Sequence, residues 1–351
     1  MKKILLTLLF PLAFVQAQQS QDAPLNIILM IGDGTGLSQI SAGMYANNNQ
    51  TVLEEFPVIG LSKTHAVKNL VTDSAASGTA MACGEKTYNG VVGMDAKNKK
   101  LTSILELCEE IGYNTGLIVN SSIVHATPAS FYANINSRKK YEEIALQFIE
   151  SEVDYFIGGG KKHFEKRKDN RNLIKEMKTV DVVKSFKKYK KSTHNKIGFF
   201  TYDDEPPSLN EGRAPLLGEY LSSTLDKLDK RKEPFFLMVE ASQIDWGGHA
   251  NNIDYITSEF IEFNNTINVA LNYAKNNPNT LIIVTADHET GGLAITGGGT
   301  SPFEMKASFN TGGHSATMVP VFSYGQSSGL FAGIYENTQI FHKMKKALGI
   351  N

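Results

Sequence analysis

Six apolar runs rich in β-branched residues, at 25–31, 116–119, 155–157, 235–239, 281–285 and 319–322, limit this chain more than any other feature. Each has strand length and leaves no polar face for water, so each predicts a strand buried on both sides. Amphipathic patterns at 101–111, 141–150, 216–230 and 256–275 predict helices between them. This alternation predicts an α/β fold, a mostly parallel central β-sheet with helices on both faces. No internal repeat of solenoid period is present.

Several of these runs break into metal-type ligands. Asp33 follows the first run, Glu240, Asp245 and His249 follow the fourth, and Asp287 and His288 follow the fifth; His314 and Thr127 stand in Gly- and Pro-bearing loops. Ligand crevices of open α/β sheets lie at the carboxyl ends of the strands, so these groups are expected to converge on one polynuclear site. Asp245 and His249 are four residues apart, as one helical turn requires. The adjacent Asp287 and His288 need a kinked strand end, because neighbours on a regular strand face opposite ways. Imidazole and carboxylate suit zinc, and two sets can be assembled: Asp245, His249 and His314 for one ion, Asp33, Asp287 and His288 for another, with Ser74 as a further ligand of the second. The oxygen donors Asp33, Thr127 and Glu240 suit magnesium. His65, His163, His194 and His342 lack such context and are read as surface or packing residues.

Ser74, in VTDSAASGTAMACG, is the candidate nucleophile. It opens a run of small residues able to form a helix, where unpaired backbone N–H groups can hold an anion. No G-x-S-x-G elbow surrounds it. Activation is therefore expected from a metal that lowers the hydroxyl's pKa.

The first residues, MKKILLTLLFPLAFVQA, predict a secretory signal at 1–17 cleaved near Ala17, leaving one catalytic domain over 18–351 in the periplasm or outside the cell, with no membrane anchor. The formal charge of −1 gives no global argument for nucleic acid or membrane as a partner. The two cysteines allow a disulfide, yet Cys108 lies on an apolar helical stripe and Cys83 follows a small-residue helix, so buried free thiols are the preferred reading. Residues 161–196 hold fourteen Lys or Arg against four acids, a local net of +10, leaving −11 elsewhere. Such a run could bind polyanions. The preferred reading is a solvated helical insertion whose lysine stems cover Leu173, Ile174, Val182, Val183 and Phe186.

TDSAASGTA, SQIDWGGHAN, VTADHETGG and GGHSA, in this order and with HATPASFYANINSR between the first two, resemble the alkaline phosphatases from about residue 25 to 348. The resemblance implies a three-layer alkaline-phosphatase sandwich, two Zn2+ and one Mg2+, and hydrolysis of small phosphomonoesters through a phosphoserine. It also implies a monomer or homodimer. Position by position, Ser74 matches the nucleophile, Arg138 the arginine that clamps phosphate and Asp73 the acid that orients it. Asp245, His249 and His314 match the first zinc site, Asp33, Asp287, His288 and Ser74 the second, and Asp33, Thr127 and Glu240 the magnesium site. His125 and Trp246 stand where some bacterial members have Asp and Lys, so contacts around magnesium and phosphate must differ. The short stretch between Asp287 and His314 implies that a large insertion of bigger relatives is missing. A phosphodiesterase of the same superfamily is the alternative; a non-catalytic binding protein would be expected to have lost Ser74 or a ligand.

Overall fold

The computed structural model describes residues 25–299 and 304–350; the expected signal at 1–17 lies outside them. Fourteen strands are formed among these residues: β1 (Asn26–Gly32), β2 (Val58–Lys63), β3 (Asn114–Ser122), β4 (Tyr155–Gly159), β5 (Asp181–Val183), β6 (Ile197–Phe200), β7 (Phe235–Ala241), β8 (Thr280–Thr285), β9 (Glu289–Thr290), β10 (Leu293–Gly297), β11 (Lys306–Phe309), β12 (His314–Ser315), β13 (Val319–Gly325) and β14 (Gly333–Glu336). Ten make one sheet in the order β14-β2-β13-β8-β1-β7-β3-β4-β6-β5. From β8 to β5 every pairing is parallel; β13 runs antiparallel to both of its neighbours.

All seven residues of β1 are buried, which explains its unbroken apolar sequence. Ile27 sits between Phe236 of β7 and Leu281 of β8. Successive residues face opposite ways: Ile27, Leu29 and Ile31 enter a core with Cys108, Phe131 and Phe341, while Ile28 and Met30 enter another with Phe260, Phe263 and Leu221. The helices Ser74–Cys83, Ile104–Glu110, Tyr141–Glu150 and Thr338–Leu348 cover the first core, and Leu37–Ala46, Leu217–Arg231 and Ile253–Asn276 the second. The last of these starts at Asn252, whose side chain accepts a hydrogen bond from the Tyr255 amide. Gly43 lets helix Leu37–Ala46 close on it, since a Cβ there would lie 2.0 Å from the Phe260 ring.

The six predicted strands and four predicted helices are all present. The structure adds β2, β5, β6 and β14 to the sheet and β9, β10, β11 and β12 outside it. In 161–196 it forms the helices Lys162–Glu165, Leu173–Glu176 and Phe186–Lys191, but it corrects the reading of an insertion that is helical throughout, because β5 within it forms the outer edge of the sheet. Cys83 and Cys108 are buried free thiols, as expected, and burial pushes both well above the usual thiol range.

Candidate active site and metal centre

Strands β1, β3, β7 and β8 deliver their following residues to one crevice at their carboxyl ends. The helix Ser74–Cys83 opens into it. All ten of its residues are buried, and small side chains allow this: a Cβ on Gly78 would lie 2.9 Å from Ser130 Oγ. Asp73 caps the helix, accepting from the Ala76 amide at 3.0 Å, and also accepts from the Gly90 amide at 3.0 Å and Arg138 Nη1 at 3.1 Å. The aspartate thus fixes both the helix start and the guanidinium. Arg138 Nη2 lies 3.2 Å from His125 Nε2. Ser74 Oγ, 2% exposed as a residue, stands 3.4 Å from His288 Nε2.

Three groups of acids and histidines bring ligand atoms within 4.8 Å of one another: Asp245, His249 and His314; Asp33, Asp245 and His288; and Asp33, His125 and Glu240. The first brings together the three residues assembled from ligand type for one zinc. In the second, Asp245 stands with Asp33 and His288, while Asp287 Oδ2 is 3.1 Å from His288 Nε2. In the third, His125 joins Asp33 and Glu240 as a potential ligand, where the sequence placed it only behind magnesium. Trp246 packs edge-on to the His125 ring, 6.3 Å between centroids.

The donors fit bound cations. Both carboxylate oxygens of Asp33, Oδ2 of Asp287, Oε1 of Glu240, Oγ1 of Thr127 and Nδ1 of His125 are buried without hydrogen-bond partners. Orphaned buried polar atoms at this density are costly unless an ion or water completes them. His249 Nε2 and His314 Nε2 point at each other across 3.2 Å, as two ligands of one ion would. Burial, together with Asp287 and Asp245, holds the Asp33 carboxyl well above the carboxylate range, and burial pushes Glu240 up to about 8. Positive charge has the opposite effect. Burial opposes ionisation of Asp287, but His288, the Gly34 amide and His314 together outweigh it and hold that carboxyl below the usual range. The hydrogen bond to Asp245 lifts His249 to about 9, whereas burial and then Arg138 lower His125 to about 3.

Sequence reasoning missed the residues that hold the ligands. Thr290 Oγ1 donates to Asp245 Oδ1 and lies 3.2 Å from His288 Nδ1, so one hydroxyl touches two groups. The buried Glu289 accepts from Gln39 Nε2 at 2.7 Å, the Leu293 amide at 3.1 Å and Ser315 Oγ, joining the chain after β1 to β12, which carries His314. His314 Nδ1 is 2.8 Å from the Thr72 carbonyl and His249 Nδ1 2.7 Å from that of Gly312. A polar run straight after an apolar strand, DHET, was the available signal. Gly34, at φ +71°, turns the chain so closely under Asp245 that a Cβ would lie 2.6 Å from its Cα.

A parallel sheet with buried carboxylates, imidazoles, a serine and an arginine at its carboxyl edge defines a metal-dependent hydrolase of anionic esters. The comparisons then fix the family. The family model for alkaline phosphatase matches residues 25–307. Alkaline phosphatase 3 of Bacillus subtilis is 34% identical, the alignment covering 95% of this chain and 90% of the relative. The structure of alkaline phosphatase from the Antarctic bacterium TAB5 is 41% identical over 94% of this chain and 99% of that one, with a TM-score of 0.89. A variant of it, with a histidine replaced by aspartate and Mg bound in the M3 site, matches equally well. The chain belongs to the alkaline phosphatase family and is a metal-dependent phosphomonoesterase.

Proposed function

We propose that the protein hydrolyses small phosphomonoesters through a phosphoserine at Ser74. Arg138, held by Asp73, donates both prongs to two non-bridging oxygens of the phosphoryl group. That grip aligns phosphorus with Ser74 Oγ; the new Ser–O–P bond forms as the ester P–O bond breaks, the alcohol departs, and water then cleaves the phosphoserine to free phosphate. The residues would hold two Zn2+, one on Asp245, His249 and His314 and one on Asp33, Asp287, His288 and Ser74. Asp33, Thr127 and Glu240, with His125 beside them, would hold one Mg2+, a reading supported by their partnerless buried oxygens. Bound metal supplies Lewis acidity, lowering the serine pKa and neutralising charge on the entering and leaving oxygens. His125 and Trp246 shape the phosphate side of the crevice.

The reading extends to location and assembly: a signal at 1–17, a single catalytic domain over 18–351, action in the periplasm or outside the cell, and a monomer or homodimer. Among the described residues no helix is long and apolar enough to cross a membrane.

The observation that carries the proposal is the meeting of Ser74, the Asp73–Arg138 pair and the partnerless ligand atoms in one crevice. Ser74→Ala is expected to abolish acid-stable labelling by a phosphate-labelled monoester and to lower turnover by orders of magnitude, with zinc content nearly unchanged. Label retained on another serine would refute the assignment.

A further inference from the structure

The cations of residues 161–196 fall into two unlike halves. Lys161, Lys162, Lys166, Arg167, Arg171 and Lys196 are ion-paired with acids. Lys168, Lys175, Lys178, Lys184, Lys187, Lys188, Lys190 and Lys191 are all exposed, and none forms an ion pair among the described residues. The acids nearest in sequence are engaged elsewhere: Glu176 with Arg171, and Asp181 with Ser192 Oγ at 3.3 Å and His194 at 3.7 Å.

Local structure gathers these lysines. In the helix Phe186–Lys191, Phe186 and Tyr189 are buried, Phe186 edge-on to Tyr220 and the Tyr189 hydroxyl 2.9 Å from Thr224 Oγ1. The other four positions are lysines. Beside this helix, β5 is the edge strand, flanked by two open clefts. One, of about 810 Å³, has Ile174, Val182, Val183 and Phe200 as its floor and Lys161, Lys175 and Lys184 at its sides. The other, of about 800 Å³, has Lys184, Lys187, Lys188 and Lys191 in its lining against one acid, Asp181.

Lys187 and Lys191 are spaced i,i+4 on one helix, where like charges destabilise and a Glu–Lys pair would stabilise. A polyanion reverses that cost by neutralising the lysines and releasing its own counterions. Lysine ammonium groups are mobile point charges without the planar fork that fixes a single oxyanion, so the face suits closely spaced anions on a flexible chain. Its two aromatic rings are buried and give bases no platform to stack on, which disfavours single-stranded nucleic acid. We propose that the face carrying Lys184, Lys187, Lys188 and Lys191 is an exosite for a linear, base-free polyanion of closely spaced phosphates, separate from the catalytic crevice.

Long-chain inorganic polyphosphate tests this on the full chain in a Ser74→Ala background, so that the probe is not consumed. Binding is expected, weakening about fiftyfold between 50 and 200 mM salt if four lysines are neutralised. K184E/K187E/K188E/K191E should weaken it at least about tenfold, and K187Q/K188Q by an intermediate factor. Both sets placed in the wild-type background should leave aryl phosphate turnover and melting temperature unchanged, which reports on folding. Displacement of the polymer by inorganic phosphate would move its site to the catalytic crevice and overturn the proposal. So would equal affinity of the charge-reversed variant, or tighter binding to single-stranded DNA or to vesicles of anionic lipid.

Discussion

At the residue scale, the proposed phosphate grip of Arg138, held by Asp73 at 3.1 Å, carries a prediction about the preference among esters. A monoester leaves non-bridging oxygens free for both prongs of the guanidinium, whereas a diester has one blocked by its second substituent. Losing such a charge-assisted contact costs about 2–4 kcal/mol, roughly 30- to 1000-fold. Arg138→Ala should lower monoester kcat/KM by that order and diester hydrolysis much less; equal losses on both would argue for diesterase chemistry. Away from the site, burial raises Glu109 from 4.5 to about 7, where it accepts from Thr115 Oγ1. Its carboxyl stays protonated in the fold while the unfolded chain ionises, so the stability it contributes is complete below 4.5 and lost as pH rises to about 7. Denaturant unfolding of Glu109→Gln should therefore lose less stability between about pH 5 and pH 8 than wild type. Residues with chemistry of their own, such as Ser74 and Asp245, were legible in the sequence. Thr290 and Glu289 were not, because their importance lies in whom they touch across the fold.

At the scale of elements, the two expected zinc sets stand on unequal supports. Asp33 and His288 are fully buried at the ends of β1 and β8, whereas the His249 side chain is 42% exposed and His314 sits on the two-residue strand β12. Chelator should therefore remove one zinc well before the other. Glu289→Ala, which frees Ser315 and with it β12, should speed release of that first ion by about tenfold and leave the second unchanged, as followed by a zinc-sensitive dye in stopped flow. Equal acceleration of both would mean that Glu289 supports only the general fold. The long apolar strands were readable because burial on both faces removes any polar alternation. β2 contains Gly60 and Ser62 and β5 has three residues, so neither leaves a pattern long enough to detect; β13 reads as a strand, but its reversed direction is set by pairing partners that periodicity does not encode.

For the whole molecule, metal and stability are one quantity. Asp33, Glu240, Asp245 and Asp287 lie in the same buried crevice, and each ion held at a hundredfold its dissociation constant contributes about 2.7 kcal/mol to folding. Exhaustive chelation should abolish activity and lower the melting temperature in calorimetry, zinc should restore both, and magnesium should raise activity further. An unchanged rate would end the metal mechanism. The architecture was legible from alternation alone, and the convergence of ligands from the strand-end rule; the register that brings Asp245 beside Asp33 was not. The chain between His288 and His314 leaves the sheet, forms the β10–β11 hairpin and returns, with its two ends clasped where β9 pairs with β12. Because the clasp, rather than the arm's length, holds both histidines, the arm is a permissive graft point: a foreign domain spliced between β10 and β11 should fold as a passenger, giving a fusion enzyme that keeps its metal.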